Sequence, residues 1–243
     1  MTSRSVTLAF ALFLAAFLAV LEPVLAAGLS VVPLRGESGM AYHFYDLGDL
    51  RIGWEIKRPD KKDERIKFCI PAAFTTKTGT VVGIYGIRGG VSNARAISRP
   101  IGGAILISGG KFEIFPSDNG KRFTKEFIQS VQKRKASFFQ QFQLVHKGVP
   151  ARFKDRKSFQ MRAIVKFADG REGVVESESA MTFKTFNADL AGLGVEDALY
   201  TDMGAWDEGW YRDAETGKIV TIGNDRSQTA KQTNWVVFYE QTR

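Results

Sequence analysis

Short apolar stretches separated by glycine-containing turns restrict the fold of this chain more than any other feature. Residues 104–107 and 112–115 flank the turn Ser108-Gly109-Gly110-Lys111, and the alternating residues 161–167 precede Asp169-Gly170. Gly-Gly and Asp-Gly pairs between such runs favour the tight turns that join antiparallel strands. Further strands are expected at residues 81–87, 141–145, 173–176 and 235–239.

Two segments interrupt the strands with apolar residues at helical spacing. The first covers residues 123–135. The second covers residues 182–193, where Thr182 is the expected N-cap and Gly192 and Gly194 end the helix. This order of elements predicts an α+β fold with a mixed, largely antiparallel, twisted sheet and a few helices.

The N-terminus has the pattern of a secretory signal peptide. Arg4 precedes an almost unbroken apolar run over residues 6–21, and Glu22-Pro23 separates that run from small residues ending at Ala26. The alternative is a membrane anchor, which needs about 20 apolar residues. Cleavage after Ala26 is expected, followed by export to the periplasm or beyond, with no stable membrane insertion afterwards.

The remaining chain is expected to comprise an N-terminal extension with the first strands, residues 27–64, and a main domain, residues 65–243. Its formal net charge of +8 is compatible with a basic surface or with affinity for polyanions. The densest run of charges, residues 57–65, contains both signs and is expected to form an exposed loop. No nucleic-acid partner is predicted. The single cysteine, Cys69, lies in an apolar stretch and is expected to be buried.

The sequence lacks the motifs of several common metal-binding, nucleotide-binding and catalytic sites. Two histidines and one cysteine, widely separated, do not form a zinc motif. There is also no phosphate-binding P-loop, no G-x-G-x-x-G and no G-x-S-x-G nucleophile motif.

Residues 198–213 carry the clearest chemical signal. A short apolar stretch ends at Asp202, and Asp207-Glu208 lies between Trp206 and Trp210. Indole faces stack on sugar rings, and a carboxyl group in an apolar wall can have the raised pKa that a general acid needs. The alternative is a surface loop with helix-capping acids.

Other polar residues at strand positions are candidates for substrate binding. Arg162 begins an alternating strand and suits a phosphate or carboxylate, although it could equally be an exposed strand-edge charge. Gln140 and Gln143 precede a turn and could orient sugar hydroxyls, or simply face solvent.

The ordered segments resemble the phosphodiester glycosidase family over residues 65–240. The more specific matches are the Arg162 strand with its Asp169-Gly170 turn, and the helix at 182–193 followed by Asp202-Met203-Gly204-Ala205. Weaker matches are residues 70–75, 102–106 and 140–148. Pro71, Met203 and Trp206 depart from the family pattern, which places this chain in a divergent branch.

The resemblance implies an exported hydrolase acting on a glycosyl phosphodiester or related envelope glycoconjugate. Asp202 would be the acid or nucleophile, and Asp207 or Glu208 the second carboxylate. The substrate-binding positions would be Arg162 for phosphate, Gln140, Gln143 and Gly204 around the sugar, and Trp206 and Trp210 for stacking. No cofactor is expected, and a calcium ion held by the three acids is left open. The departures at Pro71 and Met203 motivate an alternative, a non-catalytic carbohydrate-binding envelope protein.

Overall fold

The computed structural model describes residues 28–92, 96–154 and 156–241. The predicted signal peptide lies outside these ranges. Within them, no helix combines the length and the hydropathy needed to cross a membrane.

The described strands, numbered in chain order, form three sheets. The largest has seven strands, which in spatial order are β1 (Ser30–Arg35), β2 (Ala41–Asp46), β13 (Glu172–Ser177), β12 (Arg162–Phe167), β14 (Val195–Tyr200), β10 (Gln143–His146) and β11 (Val149–Pro150). The second has five, which are β16 (Ile219–Ile222), β15 (Gly209–Arg212), β4 (Ile66–Pro71), β17 (Trp235–Tyr239) and β3 (Arg51–Glu55). The third also has five, which are β6 (Gly90–Val91), β5 (Tyr85–Ile87), β9 (Ser137–Gln141), β7 (Gly103–Ser108) and β8 (Lys111–Pro116).

The two expected helices are present. Helix α1 covers Lys125–Arg134, and the Oγ1 of Thr124 caps it by accepting a hydrogen bond from the N–H of Phe127. Helix α2 covers Phe183–Gly192, and Thr182 caps it as predicted. The described strand pairs are antiparallel, so the α+β prediction is confirmed, with the strands divided among three sheets.

Local turn signals predicted the hairpins correctly. Gly109 and Gly110 adopt positive φ angles of 61° and 78° between β7 and β8, which glycine does without a Cβ clash. The turn at Asp169-Gly170 likewise joins β12 to β13.

Two strand boundaries differ from the sequence expectation. Residues 81–87 form a strand only from Tyr85, because Gly83 has a φ of 89° and packs so closely on Gln140 that a Cβ would lie 2.7 Å from its Oε1. The strand expected at 141–145 is divided. Gln141 ends β9 in the third sheet, and after Phe142 the chain enters β10 of the largest sheet. A side-chain pattern does not reveal a change of sheet, because alternation continues across it.

The main apolar core lies where the inner faces of the three sheets meet. Its fully buried members include Ile70, Ile105, Phe139, Ile164 and Leu199. Helix α2 covers the outer face of the largest sheet, and α1 covers the third sheet. The outer face of the second sheet carries the smaller cluster Cys69, Trp210, Trp235 and Val237. Strands β1 to β3 of the predicted N-terminal extension pair within the first two sheets.

Candidate active site

Asp202 lies just beyond the C-terminal end of β14, at a junction between two sheets. Its N–H donates a hydrogen bond to the carbonyl of Ala72 at 2.9 Å. Its Oδ2 accepts one from the N–H of Thr75 at 3.3 Å. Ala72 and Thr75 follow β4 of the second sheet, so these bonds fasten the end of β14 to that segment.

The Asp202 carboxyl group is 4% exposed, and this burial changes its chemistry. Burial raises its pKa to about 7, and the charge of Asp207 adds to the rise, whereas the backbone N–H groups of Thr75 and Met203 oppose it. Near neutral pH the group is therefore about half protonated. A carboxyl group in that state can donate or accept a proton, which is the requirement for general acid–base catalysis.

Arg162, Asp207 and Glu176 form a buried charge cluster next to Asp202. The Arg162 guanidinium is fully buried and makes ion pairs with Glu176 and with Asp207, whose Oδ1 lies 2.8 Å from Nη2. Burial raises the pKa of Asp207 to about 6, while Arg162 opposes this rise and Glu176 adds to it. Arg162 is thus an interior residue, and the alternative of an exposed strand-edge charge is wrong.

Two polar atoms of this buried cluster lack a hydrogen-bond partner among the described residues. The contact between Arg162 and Asp207 has ion-pair distance without hydrogen-bond angles. Oδ1 of Asp207 is therefore buried without a hydrogen-bond partner among the described residues, and so is Nη1 of Arg162, which takes no part in that contact. Unpaired buried groups cost free energy and are retained where they serve a purpose.

A cleft of about 420 Å³ reaches this cluster through Glu176. Gln160 donates a hydrogen bond to Glu176 at 3.2 Å and accepts one from the backbone N–H of Asn224 at 2.8 Å. The same N–H donates to Oδ2 of Asp207 at 3.0 Å. Tyr45 and Tyr211 contribute aromatic walls to the cleft.

A second polar network supports the segment that contacts Asp202. The Oδ1 of Asn234 accepts hydrogen bonds from the N–H of Ala73 at 2.7 Å and from the Trp54 indole at 3.2 Å, and its Nδ2 donates to the carbonyl of Ala73 at 3.0 Å. The Oγ1 of Thr75 donates to Gln232 at 2.8 Å. Sequence reasoning missed Asn234 and Gln232, because the pairing of β17 with β4 brings them to the segment that contacts Asp202. It also missed Glu176, which the pairing of β13 with β12 places opposite Arg162.

Glu208 and Trp210 lie on the other face of the second sheet. Glu208 accepts a hydrogen bond from Lys61 at 2.9 Å, and Trp210 is buried opposite Cys69. Both line a separate cavity of about 490 Å³. Asp207 is directed the other way, to Arg162.

The predicted glutamines differ in their surroundings. Gln140 is fully buried; its Oε1 accepts from the N–H groups of Ile84 and Ser98, and its Nε2 donates to the Ser98 carbonyl. Its amide group is therefore occupied by the backbone. Gln143 is half-buried, and its Nε2 lies 3.5 Å from Oδ1 of Asp197.

Gly204 and Trp206 follow Asp202 directly in a short 3-10 helix, Gly204–Trp206. Gly204 has a φ of 74°, and a Cβ there would meet nothing within 4 Å, so the backbone angle rather than space favours glycine. Trp206 is partly exposed near Asp202 in the chain and remains available to a ligand. Over the described residues, no three His, Cys, Asp or Glu side chains gather as a metal-ligand set.

Comparison with known proteins gives a likeness of fold. No family model matches the chain, and no curated protein matches it in sequence. The catalytic domain of zebrafish N-acetylglucosamine-1-phosphodiester alpha-N-acetylglucosaminidase, auto-inhibited by its pro-peptide, superimposes with a TM-score of 0.59 at 11% identity, over 91% of this chain and 85% of that one. A hypothetical protein from Synechocystis gives a TM-score of 0.55 at 13% identity, over 88% of this chain and 62% of that one. At these identities the comparison shows a shared fold.

Proposed function

We propose that this protein is an exported glycosidase-type hydrolase that cleaves a glycosyl phosphodiester or a related envelope glycoconjugate. The observation that carries the proposal is the buried Asp202 carboxyl group, with its pKa raised to about 7, beside the cluster of Asp207, Arg162 and Glu176. Glycoside hydrolysis commonly uses two carboxyl groups whose environments give them different protonation states.

In this proposal Asp202 donates a proton to the oxygen that leaves the anomeric carbon. Asp207 is the second carboxylate, because it has the lower pKa of the two and Arg162 favours its ionised form. Glu208 does not take this role, since its carboxylate is paired with Lys61 on the opposite face of the sheet.

Arg162 then acts by holding Asp207 charged and in position. Trp206, directly after the Gly204 turn, offers an indole face for the sugar ring, and Gln143 offers a half-buried amide for a hydroxyl group. The fold likeness to a phosphodiester glycosidase domain supports the choice of substrate class.

Turnover measurements test this proposal. The purified protein is offered an N-acetylglucosamine-α-phosphodiester and aryl glycosides, with and without calcium. We expect Asp202→Asn to lower kcat by about 10²–10⁴-fold, the usual contribution of a general acid. Asp213→Asn, at an exposed turn where the carboxylate accepts hydrogen bonds from Thr216, is the matched control and should turn over normally. Equal activity of Asp202→Asn and the wild-type protein would refute the assignment.

Export is tested separately, by expressing the full chain and determining the N-terminus of the secreted product. A mature protein beginning at Ala27 is the expected result. A product that retains the apolar run over residues 6–21 would contradict it and favour the membrane anchor.

The second candidate function is carbohydrate binding without catalysis. The observation that favours it is the tight enclosure of Asp202, together with Pro71 and Met203 beside it in place of the family's usual residues. It predicts saccharide binding without turnover, and Trp206→Ala should abolish that binding. Unchanged binding in Trp206→Ala would count against this candidate.

A further inference from the structure

The cavity of about 510 Å³ between the second and third sheets lies away from the Asp202 cluster and shares no lining residue with it. Edge strand β3, the end of β17 and the turn at Gly109-Gly110 enclose it together with the charged segment 57–65. Its apolar walls include Trp54, Ile66 and Tyr239. Five cationic side chains and three carboxylates line it: Lys57, Arg58, Arg65, Arg88, Lys135, Glu55, Asp60 and Asp63.

Five cations against three carboxylates leave an excess of two positive charges on the lining, and two of the carboxylates are paired. Glu55 pairs with Arg88 at 2.7 Å, and Asp63 pairs with Arg65 at 2.7 Å. Asp60 accepts a hydrogen bond from the backbone N–H of Lys62.

Some of the cationic side chains that line the cavity have no carboxylate partner in the part of the chain that the structure describes. Lys57 and Lys135 have no ion-pair partner within the described ranges. Arg58, by contrast, is partly engaged: it donates a hydrogen bond to the Thr229 carbonyl at 2.7 Å and lies 3.8 Å from Glu208. The cavity therefore has an uncompensated positive potential, which attracts anions.

Two of these cations occupy backbone conformations that favour glycine. Arg88 has a φ of 48° and Lys135 a φ of 49°. They lie side by side, since the N–H of Arg88 donates to the Oγ of Ser137 at 3.0 Å and the N–H of Gly89 donates to the carbonyl of Ala136 at 2.9 Å.

Lys135 follows α1 at the position where glycine or asparagine is usual. A long cationic side chain at a left-handed position is destabilising for the fold. Two such residues on the rim of one cavity point to a functional reason for keeping them.

We propose that this cavity binds a small anionic ligand, namely a monosaccharide that carries a phosphate or carboxylate group. Its volume lies within the usual range of about 300–1,000 Å³ for small-ligand sites. The cationic rim would hold the anion, and the apolar walls would contact the ring. A nucleic acid fits less well, because it needs an extended basic track rather than one compact cavity. The proposal does not depend on Asp202 or on catalysis.

Calorimetric titration of the purified protein tests the proposal, with glucose 6-phosphate, glucuronate and uncharged glucose as probes. We expect saturable binding of at least one of the two anionic sugars and none of glucose. Whichever anion binds identifies the charged group. We expect Lys135→Gly and Lys57→Ala each to weaken binding by about tenfold, as for loss of a charge-assisted contact.

Lys147→Gly is the matched control, because Lys147 also has a positive φ, of 50°, but lies in the turn between β10 and β11. Both lysine-to-glycine variants lose one charge and one unfavourable backbone angle, so each should raise Tm by about 2–4 °C. Of these two variants, only Lys135→Gly should lose affinity. The proposal is overturned if neither anionic sugar binds, if glucose binds equally, or if Lys147→Gly weakens binding as much as Lys135→Gly.

Discussion

Nη2 of Arg162 lies 2.8 Å from Oδ1 of Asp207, and neither side chain is more than 2% exposed. Arg162 belongs to β12 of the largest sheet, whereas Asp207 lies two residues before β15 of the second. This contact therefore joins two sheets through a charge pair in the interior. Glu176, across from Arg162 on β13, completes the cluster.

Removing Arg162 should be severely destabilising. We expect Arg162→Met to lower the free energy of unfolding by about 3–5 kcal/mol, because two carboxylates would be left buried without a cation. Urea denaturation measures the effect. Lys166→Met is the control on the same strand, where the half-exposed pair with Glu172 should contribute less than about 1 kcal/mol. Adding Glu176→Gln and Asp207→Asn to Arg162→Met should recover part of the loss, and a further loss would contradict this account.

The raised pKa of Asp202 sets the direction of two pH dependences. Turnover that needs the protonated acid should fall as pH rises through about 7. The folded protein also binds a proton here that the unfolded chain, with a pKa near 3.8, releases. The contribution of Asp202 to stability therefore falls as pH rises from about 4 to about 7.

Asp202→Asn removes this penalty. The gain in unfolding free energy over the wild-type protein should be small at pH 4 and reach up to roughly 4 kcal/mol at pH 8. Denaturation of both proteins at the two pH values measures the difference, in which the shared contribution of Asp207 cancels. A gain that is larger at pH 4 would show that the Asp202 pKa is not raised.

Asn234 should be essential to the segment that contacts Asp202. We expect Asn234→Ala to cost about 2–4 kcal/mol, because the N–H of Ala73 and the Trp54 indole lose their acceptor. The hydrogen bond from Thr75 to Asp202 should loosen with it, which would lower kcat.

Asn224→Ala is the matched control for that substitution. It keeps the backbone N–H that donates to Asp207 and Gln160. Its stability should change by less than about 0.5 kcal/mol. Equal loss in the two alanine variants would refute the role given to Asn234.

Substitution of Gln140 should mainly affect stability, whereas substitution of Gln143 should mainly affect ligand binding. Gln140→Ala is expected to destabilise the protein by about 2–4 kcal/mol, because the N–H groups of Ile84 and Ser98 lose one shared acceptor. Hydrogen exchange at those two amides should accelerate. Gln143→Ala should change stability by less than about 1 kcal/mol and, under the proposed function, weaken substrate binding. The reverse order of stabilities would be inconsistent with this division.

Features encoded by neighbouring residues could be predicted from the sequence. The Gly109-Gly110 turn and the Thr182 cap depend on backbone angles and on hydrogen bonds within a few residues. The α+β class follows from such local elements. The division of the strands into three sheets depends on pairings between distant segments, such as Trp235 with Pro71, which no local pattern encodes.

The candidate site could likewise be predicted only in part, because some of its residues come together through long-range strand pairing. Sequence reasoning selected Asp202, Asp207 and Arg162, which the fold brings together, and their chemical roles remain predictions. The opposite directions of Asp207 and Glu208 could not be predicted from strand alternation, because both residues precede β15. Asn234 could not have been found in this way, because its importance arises from a partner 161 residues distant.

Cys69 lies on β4, between β15 and β17, and is 1% exposed, and burial raises the pKa of its thiol. A reagent that modifies thiolates can reach it only after the neighbouring strands have separated. Because the chain has one cysteine, each modified molecule records one such opening event. The rate of thiol labelling under native conditions would thus report how often the middle of the second sheet opens, without a probe having to be introduced.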